Sequence, residues 1–140
     1  MLKSVLAAAA AATLLAGLTG CDTNPFWKSE PPPMQVAPGL PAYPMNGSLV
    51  TPGGLTLYTF DKDTVNAGTS ACSGPCATVW PPLPAAASAA ASGNFTVVKR
   101  DDGSQQWAYK GWPVYTYSKD TRSGDKLGDN FKDVWHVAKP

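Results

Sequence analysis

The sequence predicts a mainly β fold, a small antiparallel β domain built from two internal repeats with pseudo-twofold character. Three observations predict it. The segment GLTLYTFDKDT at Gly54 to Thr64 returns as GWPVYTYSKDT at Gly111 to Thr121, 57 positions on, and self-similarity of this kind marks a duplicated supersecondary unit. Short β-compatible runs alternate with Gly, Pro and Asp turns, the punctuation of hairpins. No segment between Met45 and Pro140 carries a convincing helical period.

Taken in order, Ser48 to Val50 is a short strand, Thr51-Pro52-Gly53-Gly54 a turn, and Leu55 to Phe60 a second strand that closes a hairpin. Repeat one extends over about 47–84 and repeat two over about 104–140, inside a domain spanning 45–140. The alanine-rich stretch Ala85 to Ser92 is too short for an autonomous helix, since isolated helices below ~12 residues are marginal in water. It is expected to be a flexible or partly helical loop between the copies. Phe95 to Lys99 adds a strand, Asp101-Asp102-Gly103-Ser104 a reversal, and Gln105 to Tyr109 the strand that follows. After the Lys110-Gly111 turn come Trp112 to Ser118 and a last strand at Val134 to Ala138.

Each copy places an aromatic pair two residues apart, Tyr58/Phe60 and Tyr115/Tyr117, ahead of an aspartate, Asp63 and Asp120. Residues two apart share a strand face, so Tyr58 and Phe60 project to one side, and Leu55, Leu57 and Thr59 to the other. Bulk on both sides suits central strands covered on both faces. An aspartate just past a strand accepts hydrogen bonds from amides two residues on, which makes Asp63 and Asp120 expected turn posts. Each copy closes on a tryptophan, Trp80 and Trp135. Four residues before these stand Cys76 in one copy and Phe131 in the other.

The amino terminus carries one early charge, Lys3, then an apolar run from Val5 to Leu18, then Leu18-Thr19-Gly20-Cys21. The run falls short of the ~20 residues of a membrane-spanning helix, so residues 1–20 read as a cleaved export signal. Leu-Thr-Gly-Cys resembles the bacterial lipobox, which makes Cys21 the expected site of lipidation and membrane lipid an expected partner. Two or three acyl chains, at about 0.8 kcal/mol per buried methylene, give stable anchoring. Asp22 resembles the signal that retains bacterial lipoproteins in the inner membrane. Residues 21–44, with Pro31-Pro32-Pro33, Pro38, Pro41 and Pro44, form an expected extended tether. Phe26 and Trp27 suit a lipid headgroup layer. The expected location is the cell envelope, with the domain outside the cytoplasm.

Losing Lys3 with the signal leaves ten basic and ten acidic side chains, a balance that argues against nucleic acid. Mixed-sign clusters such as Lys99-Arg100-Asp101-Asp102 read as solvated surface. With Cys21 acylated, Cys72 and Cys76 remain, and an even count in an exported domain predicts a disulfide. A loop this short stabilises by about 2 kcal/mol.

The two Tyr-x-aromatic-x-x-Asp motifs, YTFDKD and YTYSKD, the C-x-x-x-C-x-x-x-WPPL stretch, YKGWPVY and the closing Trp-to-Pro segment resemble the secreted repeat lipoprotein family. The resemblance covers about Gly47 to Pro140 and departs at Pro113-Val114, where Pro-Leu is usual. It implies a compact exported β domain and no established reaction.

Three classes of function follow. The first is a non-catalytic binding or envelope-associated module, with Trp107, Tyr109 and Trp112 as a candidate platform for an envelope component or small ligand. No cofactor or metal is expected in that case. The second is periplasmic redox or metal chemistry at Cys72/Cys76, although the spacing is not that of thioredoxin-like motifs and His136 is remote. The third is hydrolysis by an Asp63/Asp120 carboxylate pair, against which turn capping stands as the simpler role.

Overall fold

The computed structural model describes residues 39–140; the export signal, Cys21, Asp22, Phe26, Trp27 and the proline run Pro31 to Pro33 lie outside them. The chain enters through a tight hairpin. Strand β1 (Tyr43–Met45) pairs antiparallel with β2 (Ser48–Val50), in register Tyr43 to Val50 and Met45 to Ser48. Between them Asn46 and Gly47 both have positive φ, 48° and 74°, as a two-residue Asn-Gly hairpin turn requires. Packing therefore begins before Met45, and Ala42 is already buried. The hairpin expected between Ser48–Val50 and Leu55–Phe60 is reduced to a Val50–Thr56 bridge and the bond from Leu57 N–H to Leu49 C=O. A proline-rich approach concealed β1, where Pro44 is tolerated because its strand pairs on one side only.

Strand β3 (Tyr58–Phe60) begins at the motif tyrosine. After it, copy one forms a five-residue helix, α1 (Pro75–Val79), which the sequence did not predict. One turn of helix is too short to show a period, and its start is set by Pro75 at the first helical position. Copy two has no helix at the corresponding place. Strand β4 (Pro84–Ala85) follows, and then the expected loop, which is exposed and contains no helix from Ala86 to Asn94. Strands β5 (Phe95–Lys99) and β6 (Gln105–Tyr109) form the hairpin of copy two. The other side of β6 takes β4 at one end and β7 (Trp112–Pro113) at the other. The chain closes with β8 (Trp135–Val137).

The two copies meet in a four-segment ribbon. Tyr58 and Tyr115 exchange both backbone hydrogen bonds, Tyr58 N–H to Tyr115 C=O at 2.8 Å and the reverse at 3.0 Å. On its other side β3 pairs with β8, Tyr58 opposite Val137 and Phe60 opposite Trp135. The Tyr115 segment is bordered likewise by the exit of copy one, through a Tyr115–Pro82 bridge and the bond from Thr116 N–H to Pro81 C=O. Each motif segment is thus flanked by the motif and the exit of the other copy, and the pseudo-twofold passes between Tyr58 and Tyr115. Pro81 and Pro82 have no N–H to donate, which suits the rim of this ribbon.

The motif strands divide two hydrophobic clusters, as bulk on both faces predicts. Leu57 and Val114 project into one with Ala42, Leu49, Leu83, Phe95 and Ala138. The other holds Tyr58, Phe60, Tyr115 and Tyr117 with Cys72, Trp80 and Trp135. Its rings form a continuous stack. Tyr117 lies on Trp80 (4.3 Å, 24°), Trp80 on Trp135 (3.8 Å, 3°) and Trp135 on Phe60 (4.3 Å, 14°). Tyr58 meets Trp80 edge-on at 5.3 Å and Tyr115 meets Trp135 edge-on at 5.1 Å. Such contacts contribute roughly 0.5–1.5 kcal/mol each beyond the area they bury.

The glycine that opens each repeated block has a matching use. Gly54 and Gly111 both have φ of +84°. A Cβ on Gly54 would lie 2.2 Å from Ser123 Oγ, and one on Gly111 would lie 2.1 Å from Asn66 Oδ1. Gly124 N–H donates to Gly54 C=O and Asn66 N–H to Gly111 C=O, so each glycine seats a loop of the other copy. Gly54→Ala and Gly111→Ala are each expected to destabilise the domain by about 2 to 4 kcal/mol, from left-handed strain plus steric overlap. Urea denaturation of each variant checks this, and a loss below about 1 kcal/mol would contradict the seating.

Candidate functional site

The repeated aspartates and tyrosines are bonded crosswise. Tyr58 Oη donates to Asp120 Oδ2 at 2.6 Å, and Tyr115 Oη donates to Asp63 Oδ2 at 2.6 Å. Each carboxylate also accepts an amide of its own loop, Asp63 from Ala71 N–H at 2.6 Å and Asp120 from Leu127 N–H at 3.0 Å. The aspartates therefore close their loops, but through amides eight and seven residues on, not two. Leaving either carboxylate unpartnered would cost about 1–3 kcal/mol.

Burial sets the electrostatics. Loss of solvent raises the hydroxyl pKa of both Tyr58 and Tyr115 well above 10.0, and the carboxylate each faces raises it further. Burial also lifts Asp63 above 3.8, opposed by the Tyr115 hydroxyl, the Ala71 amide and the Arg100 charge. The folded chain holds that proton more tightly, so the contribution of Asp63 to stability is greatest below its ordinary pKa and is lost as pH rises through the folded value.

Around this common frame the copies differ. Beside the Tyr115–Asp63 pair, Arg100 is buried, 7% exposed, although its charged quartet read as solvated surface. Its Nη1 donates to Ser70 Oγ at 3.0 Å and Gln106 Oε1 at 2.7 Å, and its Nη2 to the Cys72 carbonyl. Ser70 Oγ lies 2.7 Å from Tyr115 Oη, so the guanidinium is tied through one hydroxyl to the Tyr115–Asp63 pair. In copy two a backbone amide, Gly128 N–H, serves Tyr58 Oη at 3.3 Å.

The cysteines form the expected disulfide, Cys72 to Cys76, with Cα atoms 5.3 Å apart. Cys72 is fully buried and Cys76 packs at the margin of the aromatic cluster, as Phe131 does in copy two. Counting one residue past the amide that each aspartate holds gives Cys72 in one copy and Gly128 in the other. Gly128 lies against the Trp80 ring: a Cβ there would come within 2.6 Å of Cη2 and 2.9 Å of Cζ3. Trp80 is stacked on both faces and has nowhere to move. Gly128→Ala is therefore expected to cost about 1–3 kcal/mol and to alter the near-ultraviolet circular dichroism of the indoles; an unchanged spectrum would refute the contact.

These crossed contacts place both copies of the repeated block within one structural device. A family model described as a secreted repeat of unknown function matches residues 45–84 and again 96–139. The chain belongs to this family. No curated protein and no solved structure matches it. The two matches of the secreted repeat meet across the ribbon.

The candidate platform sits elsewhere on the secreted-repeat domain. Trp107 and Tyr109 flank the Leu57/Val114 cluster, half-buried, and Tyr109 faces Trp112 across the β6–β7 pair. Phe95 contacts both rings of β6, 6.2 Å from Trp107 and 5.0 Å from Tyr109. The three platform residues are thus neighbours, with Trp107 and Tyr109 partly committed to the core and Trp112 half-buried. Tyr109 also lines a cavity of about 280 Å³ with Leu40, Ala42, Pro44, Leu49 and Phe95. His136 lies near the surface, Nε2 2.9 Å from Asp61 Oδ2 and Nδ1 3.2 Å from Asn130 Oδ1. Among the described residues no helix is long and apolar enough to cross a membrane, and no cluster of three His, Cys, Asp or Glu side chains could hold a metal.

Sequence reasoning missed Arg100, Ser70 and Gly128. Aligned on their aspartates the copies put Asp129, not Gly128, opposite Cys72, so the place of Gly128 emerges only from the amides that the aspartates hold. No local signal distinguishes Arg100 from its charged neighbours.

Proposed function

We propose that this secreted-repeat chain is a lipid-anchored, non-catalytic binding module displayed outside the cytoplasm, and that it takes a small apolar or aromatic group of an envelope component at Tyr109. The observation that carries this is the apolar cavity between the entry segment and Phe95/Tyr109, beside the half-buried face of Trp107 and Trp112. Its volume lies near the lower end of the ~300–1,000 Å³ of small-molecule sites, which favours a ring or short chain over a whole sugar polymer. The motif aspartates are engaged in the crossed bonds and the cysteines in a disulfide. Anchoring is supported by Leu18-Thr19-Gly20-Cys21.

Tryptophan emission, followed while the processed protein is titrated with peptidoglycan fragments, lipid vesicles and periplasmic extract, tests the binding reading. A saturable change is expected with at least one of them, with affinity about tenfold weaker in Tyr109→Ala, as befits loss of an aromatic anchor. No response to any would sink it. Anchoring is tested separately by fractionation, in which Cys21→Ala should leave the membrane fraction; retention there would overturn the anchor.

A further inference from the structure

Many of the contacts that hold this domain together run between repeats. Gly54 seats Ser123, Tyr58 bonds Asp120, Phe60 stacks on Trp135, and Trp80 stacks on Tyr117 and Trp135. The reciprocal set includes Gly111 with Asn66 and Tyr115 with Asp63. Each repeat thus presents a surface whose complement is the other repeat. The only covalent path between them is Ala86 to Asn94, nine exposed positions apart from the partly covered Ala89. Nothing in the interface itself requires that the two repeats belong to one chain.

We infer that this surface also recognises a second copy of the chain, repeat one of each molecule closing on repeat two of the other in a reciprocally exchanged dimer. Exchange of an identical element is a low-cost route to dimers because every native contact is remade. Tethering on one chain gives the internal partner an effective concentration in the millimolar range. The closed monomer therefore prevails in dilute solution, and the exchanged form arises where the connection is too short or the chains fold while crowded. This inference is independent of the ligand reading.

Geometry sets the minimum length of the connection. Strands β4 and β5 flank β6 on opposite sides, with Ala85 opposite Gln105 and Phe95 opposite Tyr109. The path must cross two strand spacings and four residues of strand length, roughly 17 Å from ~4.8 Å between strands and ~3.4 Å per residue. Deleting Ala86 to Ser92 leaves Gly93 and Asn94, three Cα steps of ~3.8 Å or about 11 Å at full extension. Such a chain cannot close on itself with β4 and β5 both paired in this register.

The experiment measures the mass of the shortened chain by light scattering, together with the exciton-coupled circular dichroism of Trp80 and Trp135. That coupling arises only where repeat one of some chain meets repeat two. A dimer that retains the coupling is expected. A folded monomer with the coupling, or a species of any mass without it, would overturn the inference for this variant. Because a deletion can simply prevent folding, the unaltered chain is tested beside it. Two differently tagged preparations are unfolded, mixed at high concentration, refolded and captured on one tag. Co-capture of the second tag in a dimer that dissociates only on unfolding is expected. Recovery of tagged monomers alone would overturn the inference outright.

Discussion

Trp135→Ala is expected to cost about 3–5 kcal/mol, the range for emptying a large aromatic site and a large part of the 5–15 kcal/mol that holds a typical domain folded. Trp135 is 3% exposed, lies between Trp80 and Phe60 in the stack and receives Tyr115 edge-on. Removing it unpairs rings from both repeats at once. Trp80→Ala should cost a similar amount, because Trp80 stands in the equivalent place between Trp135 and Tyr117. The double variant should lose less than the sum, since the first substitution already removes the indole–indole contact and neighbours in contact are not additive. Urea denaturation of the three variants measures this, and strict additivity would show that the stack is not a unit.

Alkaline solution should unfold the domain through its two crossed hydroxyls. Tyr58 and Tyr115 have folded pKa values raised well above 10.0, first by burial and then by the carboxylate opposite. A raised folded pKa means that the folded chain keeps protons that the unfolded chain releases. The resulting stability is fully present below pH 10 and is lost as pH climbs beyond it, by up to about 1.4 kcal/mol per pH unit for each tyrosine. Denaturation midpoints measured from pH 8 to pH 12 should fall on the alkaline side, with tyrosinate absorbance rising in step with unfolding. Tyr58→Phe should lower stability at neutral pH by about 1–3 kcal/mol, because Asp120 Oδ2 loses its hydroxyl donor and keeps only the Leu127 amide on Oδ1, while flattening the alkaline slope. An unchanged slope in Tyr58→Phe and in Tyr115→Phe would exclude these hydroxyls as the cause.

Much of the fold was legible because it is local. Ser48–Val50, Phe95–Lys99 and Gln105–Tyr109 are strands where the residue pattern places them. The disulfide followed from count and compartment, and the doubled block announced two copies. What the repeat could not announce is which copy each residue serves. A 57-residue displacement is equally compatible with Tyr58 bonding Asp63 and with Tyr58 bonding Asp120, and only the ribbon pairing of Tyr58 with Tyr115 selects the second. Strand β1 was hidden by proline-rich surroundings, α1 by its brevity, and the burial of Arg100 by neighbours that are themselves exposed. At the candidate binding face, Trp107, Tyr109 and Trp112 were identifiable as aromatic, but the cavity beside Tyr109 was not, because Leu40, Ala42 and Pro44 reach it from a segment read as tether.

The crossed pairing has a consequence for how such chains can grow. Since a motif strand finds both its neighbours in the other repeat, the smallest closed unit is two repeats, and a third on the same chain would arrive with its Tyr-bearing edge and its tryptophan unmatched. Lengthening by single duplication is thus penalised, whereas lengthening by whole pairs is not. Parity, more than length, should limit the repeat arrays that this architecture can support.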